Sequence, residues 1–143
     1  MNNIDIANFY YMFIEDWMKK KILVVDDDAD NSYSLKVRLE RLDPSYEIRC
    51  VDSGQQCIDI LRDEGIPDLI LLDIMMPEMS GWETFDKIRD NPVWQTIPVV
   101  FLTARVDDRA KIAGNFLGDE YIEKPYEIED LKNKIDKILQ DRQ

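Results

Sequence analysis

The chain of 143 residues carries 18 Lys+Arg against 30 Asp+Glu, a formal charge of −12, and 45% of its residues are hydrophobic. That length suits one domain with a sizeable core, the apolar fraction argues against a disordered acidic tail, and the charge opposes binding to nucleic-acid phosphates. With no histidine in the chain, Ser-His and Cys-His catalysis, His-ligated zinc and a phosphohistidine on this protein are all excluded.

In residues 1–19, Ile6, Phe9, Tyr10, Phe13 and Trp17 recur at helical spacing. Asp5, Glu15 and Asp16 interrupt the apolar residues, so the segment is neither a ~20-residue membrane span nor a signal peptide. Two readings stay open: an amphipathic helix that docks on a domain or partner, or a stretch preceding a translation start at Met18.

From Lys21 two periods alternate. Ile22 to Val25 reads as a buried strand, followed by Asp26, Asp27 and Asp28. Ala29, Ser32, Leu35, Leu39 and Leu42 then keep helical spacing until Asp43-Pro44. Tyr46 to Val51 alternates as a less covered strand does. Ser53 and Gln56 form a capping-box pattern opening a helix through Cys57, Ile58 and Leu61. Cys50 and Cys57 lack disulfide-framework or metal-ligand spacing and are expected as small apolar side chains in a reducing cytosol.

Leu69 to Leu72 is a second buried strand, ending at Asp73. Trp82, Phe85 and Ile88 mark a helix stopped by Asn91-Pro92, and Pro98 precedes a third apolar strand, Val99 to Leu102. A more polar helix is expected over 107–115, then a short strand at Tyr121-Ile122 leading to Lys124-Pro125. The last helix turns Ile128, Leu131, Ile135 and Ile138 inward. Five β-α units in alternation imply an α/β fold: a doubly wound parallel sheet with helices on both faces.

In such a sheet ligands bind beyond the carboxyl ends of the strands. There the sequence places Asp26 and Asp27, Asp73, Thr103 and Lys124. Three clustered carboxylates need a cation among them, and Mg²⁺ suits an all-oxygen set that also meets a phosphate. A carboxylate beside that ion is a competent nucleophile; the hydroxyl and the ammonium suit phosphoryl oxygens.

The strings ILVVDDD (22–28), LILLDIMMPEMSGWE (69–83), VVFLTAR (99–105) and YIEKPY (121–126) together resemble the receiver domain of two-component response regulators. The resemblance covers about residues 20–143, leaving 1–19 as an extension, and implies a flavodoxin-like (βα)5 sheet of strand order 2-1-3-4-5. It implies that Asp73 is the phospho-acceptor, that Asp27 binds Mg²⁺ directly and Asp26 largely through water, and that Met75 offers its backbone carbonyl to the metal. It further implies Thr103 as the switch hydroxyl, Lys124 as the phosphate-pairing lysine, Tyr121 as the switch aromatic, and a cis peptide before Pro125. Asp28 has no role in the implied site. Leu117-Gly118 departs from the family's common Gly-Ala before the last strand, and bulky Arg105 and Met75 would flank the path of a hydrolytic water, which predicts slow dephosphorylation.

The implied function is a stand-alone receiver that takes a phosphoryl group from a histidine kinase or phosphotransfer protein. Its readout would be the face of the 107–115 helix, the last strand and the last helix, centred on Tyr121 and Lys111, acting on a separate protein. The protein is expected to be cytoplasmic, a monomer or weak dimer, without membrane or nucleic-acid contacts and with no enzymatic activity beyond its own phosphorylation and dephosphorylation. A haloacid-dehalogenase-type phosphotransferase would want Asp where Met75 stands, and the glycines at 54, 65, 81, 114 and 118 make no phosphate-cradling loop. A phosphate-independent module of the same fold is the remaining alternative.

Overall fold

The structure, a computed structural model, describes residues 3–104 and 120–141. Helix α1 spans Asn3–Met18 and is followed by strand β1, Lys20–Val25. Then come α2 (Ala29–Leu42), β2 (Tyr46–Val51), α3 (Gly54–Asp63), β3 (Leu69–Asp73), α4 (Gly81–Asp90), β4 (Val99–Thr103), β5 (Glu120–Glu123) and α5 (Ile128–Asp141). The expected helix over 107–115, Arg105, Lys111 and the Leu117-Gly118 turn lie outside the described residues.

The strands form one parallel sheet in the order β2-β1-β3-β4-β5, the order expected. Because side chains alternate across a strand, Ile22, Val24, Leu69 and Leu71 face one layer and Leu23, Val25, Ile70 and Leu72 the other. The first layer holds Leu35 and Leu39 of α2 with Leu131 and Ile135 of α5. The second holds Cys57 and Leu61 of α3 with Phe85 and Ile88 of α4. Each such buried aliphatic side chain contributes about 1.5–3 kcal/mol. Both faces are covered, so β3 and β4 are buried along their whole length.

Local chemistry sets the boundaries. Asp28 caps α2, its Oδ1 accepting from the Asp30 and Asn31 amides at 3.1 and 3.2 Å. Ser53 caps α3, accepting from Gln56 N at 3.1 Å, but the Gln56 side chain reaches back to Asp52 N at 3.0 Å instead of Ser53 N. The reciprocal bond of the box is thus displaced by one residue. Strand β1 starts two residues before its apolar run, because Lys20 and Lys21 pair with Tyr46 and Glu47. Ala29 and Leu42, the outer members of the α2 stripe, stay exposed at the two ends of the helix, while Ser32, Leu35 and Leu39 between them are buried.

At the amino-terminal edge, the Tyr46 hydroxyl donates to the Asp136 carboxylate, and the Lys20 and Lys132 ammoniums each lie 5.6 Å from the Tyr46 ring centroid. Lys132 also pairs with Asp43 at 3.6 Å. This ties α5 to the start of β2 and the end of α2. Helix α1 differs: its large apolar side chains are mostly solvent-exposed.

Candidate functional site

Parallel pairing brings the carboxyl ends of β1, β3, β4 and β5 to one edge, and the residues singled out in the sequence gather there. Asp26 follows β1 and stays aligned because its amide donates to Val51 O at 3.2 Å. Its Oδ1 accepts from Asp28 N at 2.9 Å, and its Oδ2 lies 3.6 Å from Lys124 Nζ. Asp27, next in the chain, is exposed. Asp73 closes β3 in register with Leu102, and its Oδ1 accepts from Met75 N at 3.3 Å. One carboxylate oxygen from each of Asp26, Asp27 and Asp73 falls within 4.8 Å of the others.

Burial makes that cluster unusual. Asp26 is 4% exposed and Asp73 7%. Desolvation is the largest influence on Asp73 and lifts its carboxyl to about 6; Lys124 opposes the rise, while the Asp26 and Asp27 charges add to it. Two buried carboxylates and the exposed Asp27, mutually repelling hard oxygen donors with the Lys124 ammonium beside them, fit a small divalent cation such as Mg²⁺. The donor set therefore agrees with the metal implied by the sequence.

The flanking groups complete the edge. Thr103 ends β4 and is buried. Lys124 N donates to Thr103 O at 2.7 Å, which seats the lysine beside the cluster, and the Lys124–Pro125 peptide is cis. Tyr121 is half-buried, in register with Phe101, and packs against the layer that contains Phe101. The Met75 side chain is 74% exposed. Asp28 serves as the α2 cap, which accounts for an acidic residue there without a role in the cluster.

Two neighbours carried no obvious sequence signal. Gly81 opens α4 against the end of β3: its amide donates to Ile74 O at 2.9 Å, and a Cβ there would lie 2.3 Å from Asp73 O and 2.6 Å from Ile74 Cα. The glycine after the capping Ser80 was the available hint. Tyr126 is half-buried, with its hydroxyl pushed up by burial and further by the nearby Asp26 and Asp73 charges.

A protein-family model described as the response regulator receiver domain matches residues 22–136. A probable cyclic di-GMP phosphodiesterase of Vibrio cholerae is 37% identical over 141 residues, 98% of this chain and 31% of that protein. The transcriptional regulatory protein CrdR of Helicobacter pylori is 35% identical over 125 residues, 87% of this chain and 57% of that protein. The chain thus spans about a third to just over half of these curated relatives, and the first match extends into α1. Among solved structures, the signal receiver domain of a histidine kinase from Syntrophus aciditrophicus superposes with a TM-score of 0.74 at 30% identity, covering 85% of this chain and 90% of that one. A CheY-like receiver from Methanospirillum hungatei gives a TM-score of 0.75 at 27% identity, covering 86% and 95%.

Proposed function

Because the chain belongs to the response regulator receiver domain family of two-component signalling, we propose that its acceptor is Asp73, phosphorylated by a histidine kinase or phosphotransfer protein. The observation that carries this assignment is the position of Asp73: buried at the end of the central strand, within 4.8 Å of the Asp26 and Asp27 oxygens. Residues 20–143 form the receiver in this reading, and residues 1–19 an extension to it.

Asp26, Asp27, Asp73 and the Met75 carbonyl are assigned to Mg²⁺. When bound, the ion neutralises charge on the transferred phosphoryl oxygens. An Asp73 oxygen attacks phosphorus; the P–O bond to Asp73 forms as the P–N bond to the donor imidazole breaks, and the nitrogen keeps the bonding pair. Lys124 leaves its Asp26 contact to meet one phosphoryl oxygen, and the Thr103 hydroxyl donates to another. Those contacts exist only after transfer, so they shift the population toward the state in which Tyr121 turns inward. The β5–α5 face around Tyr121 then changes its affinity for a target protein. The curated relatives contain chain beyond the matched part, so the target surface is assigned as protein, attached or separate.

Intact mass after incubation with acetyl phosphate, with and without Mg²⁺, tests the assignment. A Mg²⁺-dependent gain of one phosphoryl group that disappears in Asp73→Asn is expected. No gain under any condition would overturn it in favour of a phosphate-independent module.

A further inference from the structure

Eight large apolar side chains of α1 are exposed, from Ile6 at 54% to Trp17 at 82%. An isolated helix of 16 residues is marginal in water, and its stability comes from burying a face. Ile6, Tyr10, Phe13 and Trp17 are spaced by 4, 3 and 4 residues, the alternation of d and a positions in a heptad. Phe9 extends that seam on one side.

We infer that α1 is a dimerisation element that packs antiparallel against α1 of a second copy of this chain. Antiparallel packing sets Ile6 opposite Trp17 and Tyr10 opposite Phe13, so each Trp17 meets a smaller side chain and not a second Trp17. Parallel packing would stack Trp17 on Trp17 and bring two Lys19–Lys21 runs together. In the antiparallel pair those runs lie about 24 Å apart, one helix length. Each then sits beside the partner's first turn, which carries Asp5.

The area is adequate. At on the order of 150 Å² for each large side chain, the seam with Phe9 offers roughly 700 Å² per helix. A pair then buries about 1,400 Å², within the roughly 1,200–2,000 Å² of stable interfaces. The arrangement is isologous, so it closes as a two-fold dimer. A bilayer surface is the poorer occupant, because the polar positions of α1 include Asp5 and Glu15 and no Lys or Arg.

Sedimentation equilibrium of the full chain near 50 µM tests the inference, with a mass of twice 16.9 kDa expected. Phe13→Glu, in the middle of the seam and away from Asp73, is expected to weaken the dimer by at least about 100-fold while phosphoryl uptake persists. Mild oxidation adds the orientation: Ile6→Cys with Trp17→Cys in one chain cross-links, and Ile6→Cys alone does not. A monomeric wild type overturns the proposal, and one that floats with phosphatidylcholine vesicles reassigns α1 to a bilayer. A dimer that survives Phe13→Glu, or an Ile6→Cys cross-link on its own, overturns the antiparallel α1 pair.

Discussion

Lys124 Nζ stands 3.6 Å from Asp26 Oδ2, so a side chain following β5 reaches the residue that follows β1, across the ends of β4 and β3. The ammonium also lowers the Asp73 carboxyl, against the stronger effect of burial. Removing it leaves burial and two carboxylate neighbours acting in the same upward direction. In metal-free Lys124→Met, the Asp73 midpoint is therefore expected above its present value of about 6. Carboxyl-carbon NMR titration measures this, and an unchanged or lower midpoint would contradict the electrostatic account.

The same carboxyl makes stability depend on pH. Its folded midpoint of about 6 lies above the ordinary 3.8, so the folded protein binds this proton more tightly than the unfolded chain. The contribution is complete below about pH 3.8 and is lost as pH rises through about 6. Metal-free Asp73→Asn is expected to exceed the wild type by on the order of 1–3 kcal/mol at pH 7.5, with little difference at pH 4. Urea unfolding in EDTA at the two pH values checks it; a variant less stable than wild type at pH 7.5 would refute it.

Asp27 is the exposed member of the cluster, so its loss should affect the ion more than the fold. Asp27→Asn is expected to change metal-free stability by less than about 0.5 kcal/mol. It should also remove most of the rise in Tm that Mg²⁺ gives the wild type through linkage. Thermal melts over a Mg²⁺ series decide this. An undiminished Mg²⁺ effect would take Asp27 out of the ligand set.

Gly81→Ala places a methyl group 2.3 Å from Asp73 O and 2.6 Å from Ile74 Cα, both backbone atoms with little room to yield. The expected cost is about 1–3 kcal/mol, as for other forced overpacking. Phosphoryl uptake should slow as well, because the displaced backbone belongs to Asp73, the proposed acceptor. A neutral substitution in both assays would show that α4 can retreat from β3.

The fold could be read from the sequence because its strands lie in a covered parallel sheet, where uninterrupted apolar runs such as Leu69–Leu72 leave little ambiguity. Tyr46–Val51 was legible from its alternation, since Tyr46 and Ile48 are buried while Glu47 and Arg49 between and after them are exposed. The site residues were visible as a set at strand ends, each weak alone. Gly81 was not, because its importance is a shape relation with Asp73 that no spacing rule encodes. Trp94 and Ile97 also escaped: both are buried in the turn that follows α4, where no helical or strand period marks the inward side. Helical spacing in 1–19 left two readings open; α1 is a helix over Asn3–Met18, and the spacing said nothing of what covers it.

The strand order has a mechanical consequence. β3 has a hydrogen-bonded neighbour on each side and a helix layer over each face, so Asp73 stands on a strand braced from every side. β5 has one neighbour in the sheet, and its residues are only partly covered. A force applied at Asp73 meets an anvil, and the compliance lies at the rim, where Tyr121 sits. In the proposed switch, charge added at the centre would be converted into displacement at the edge, across a distance that the sheet itself fixes.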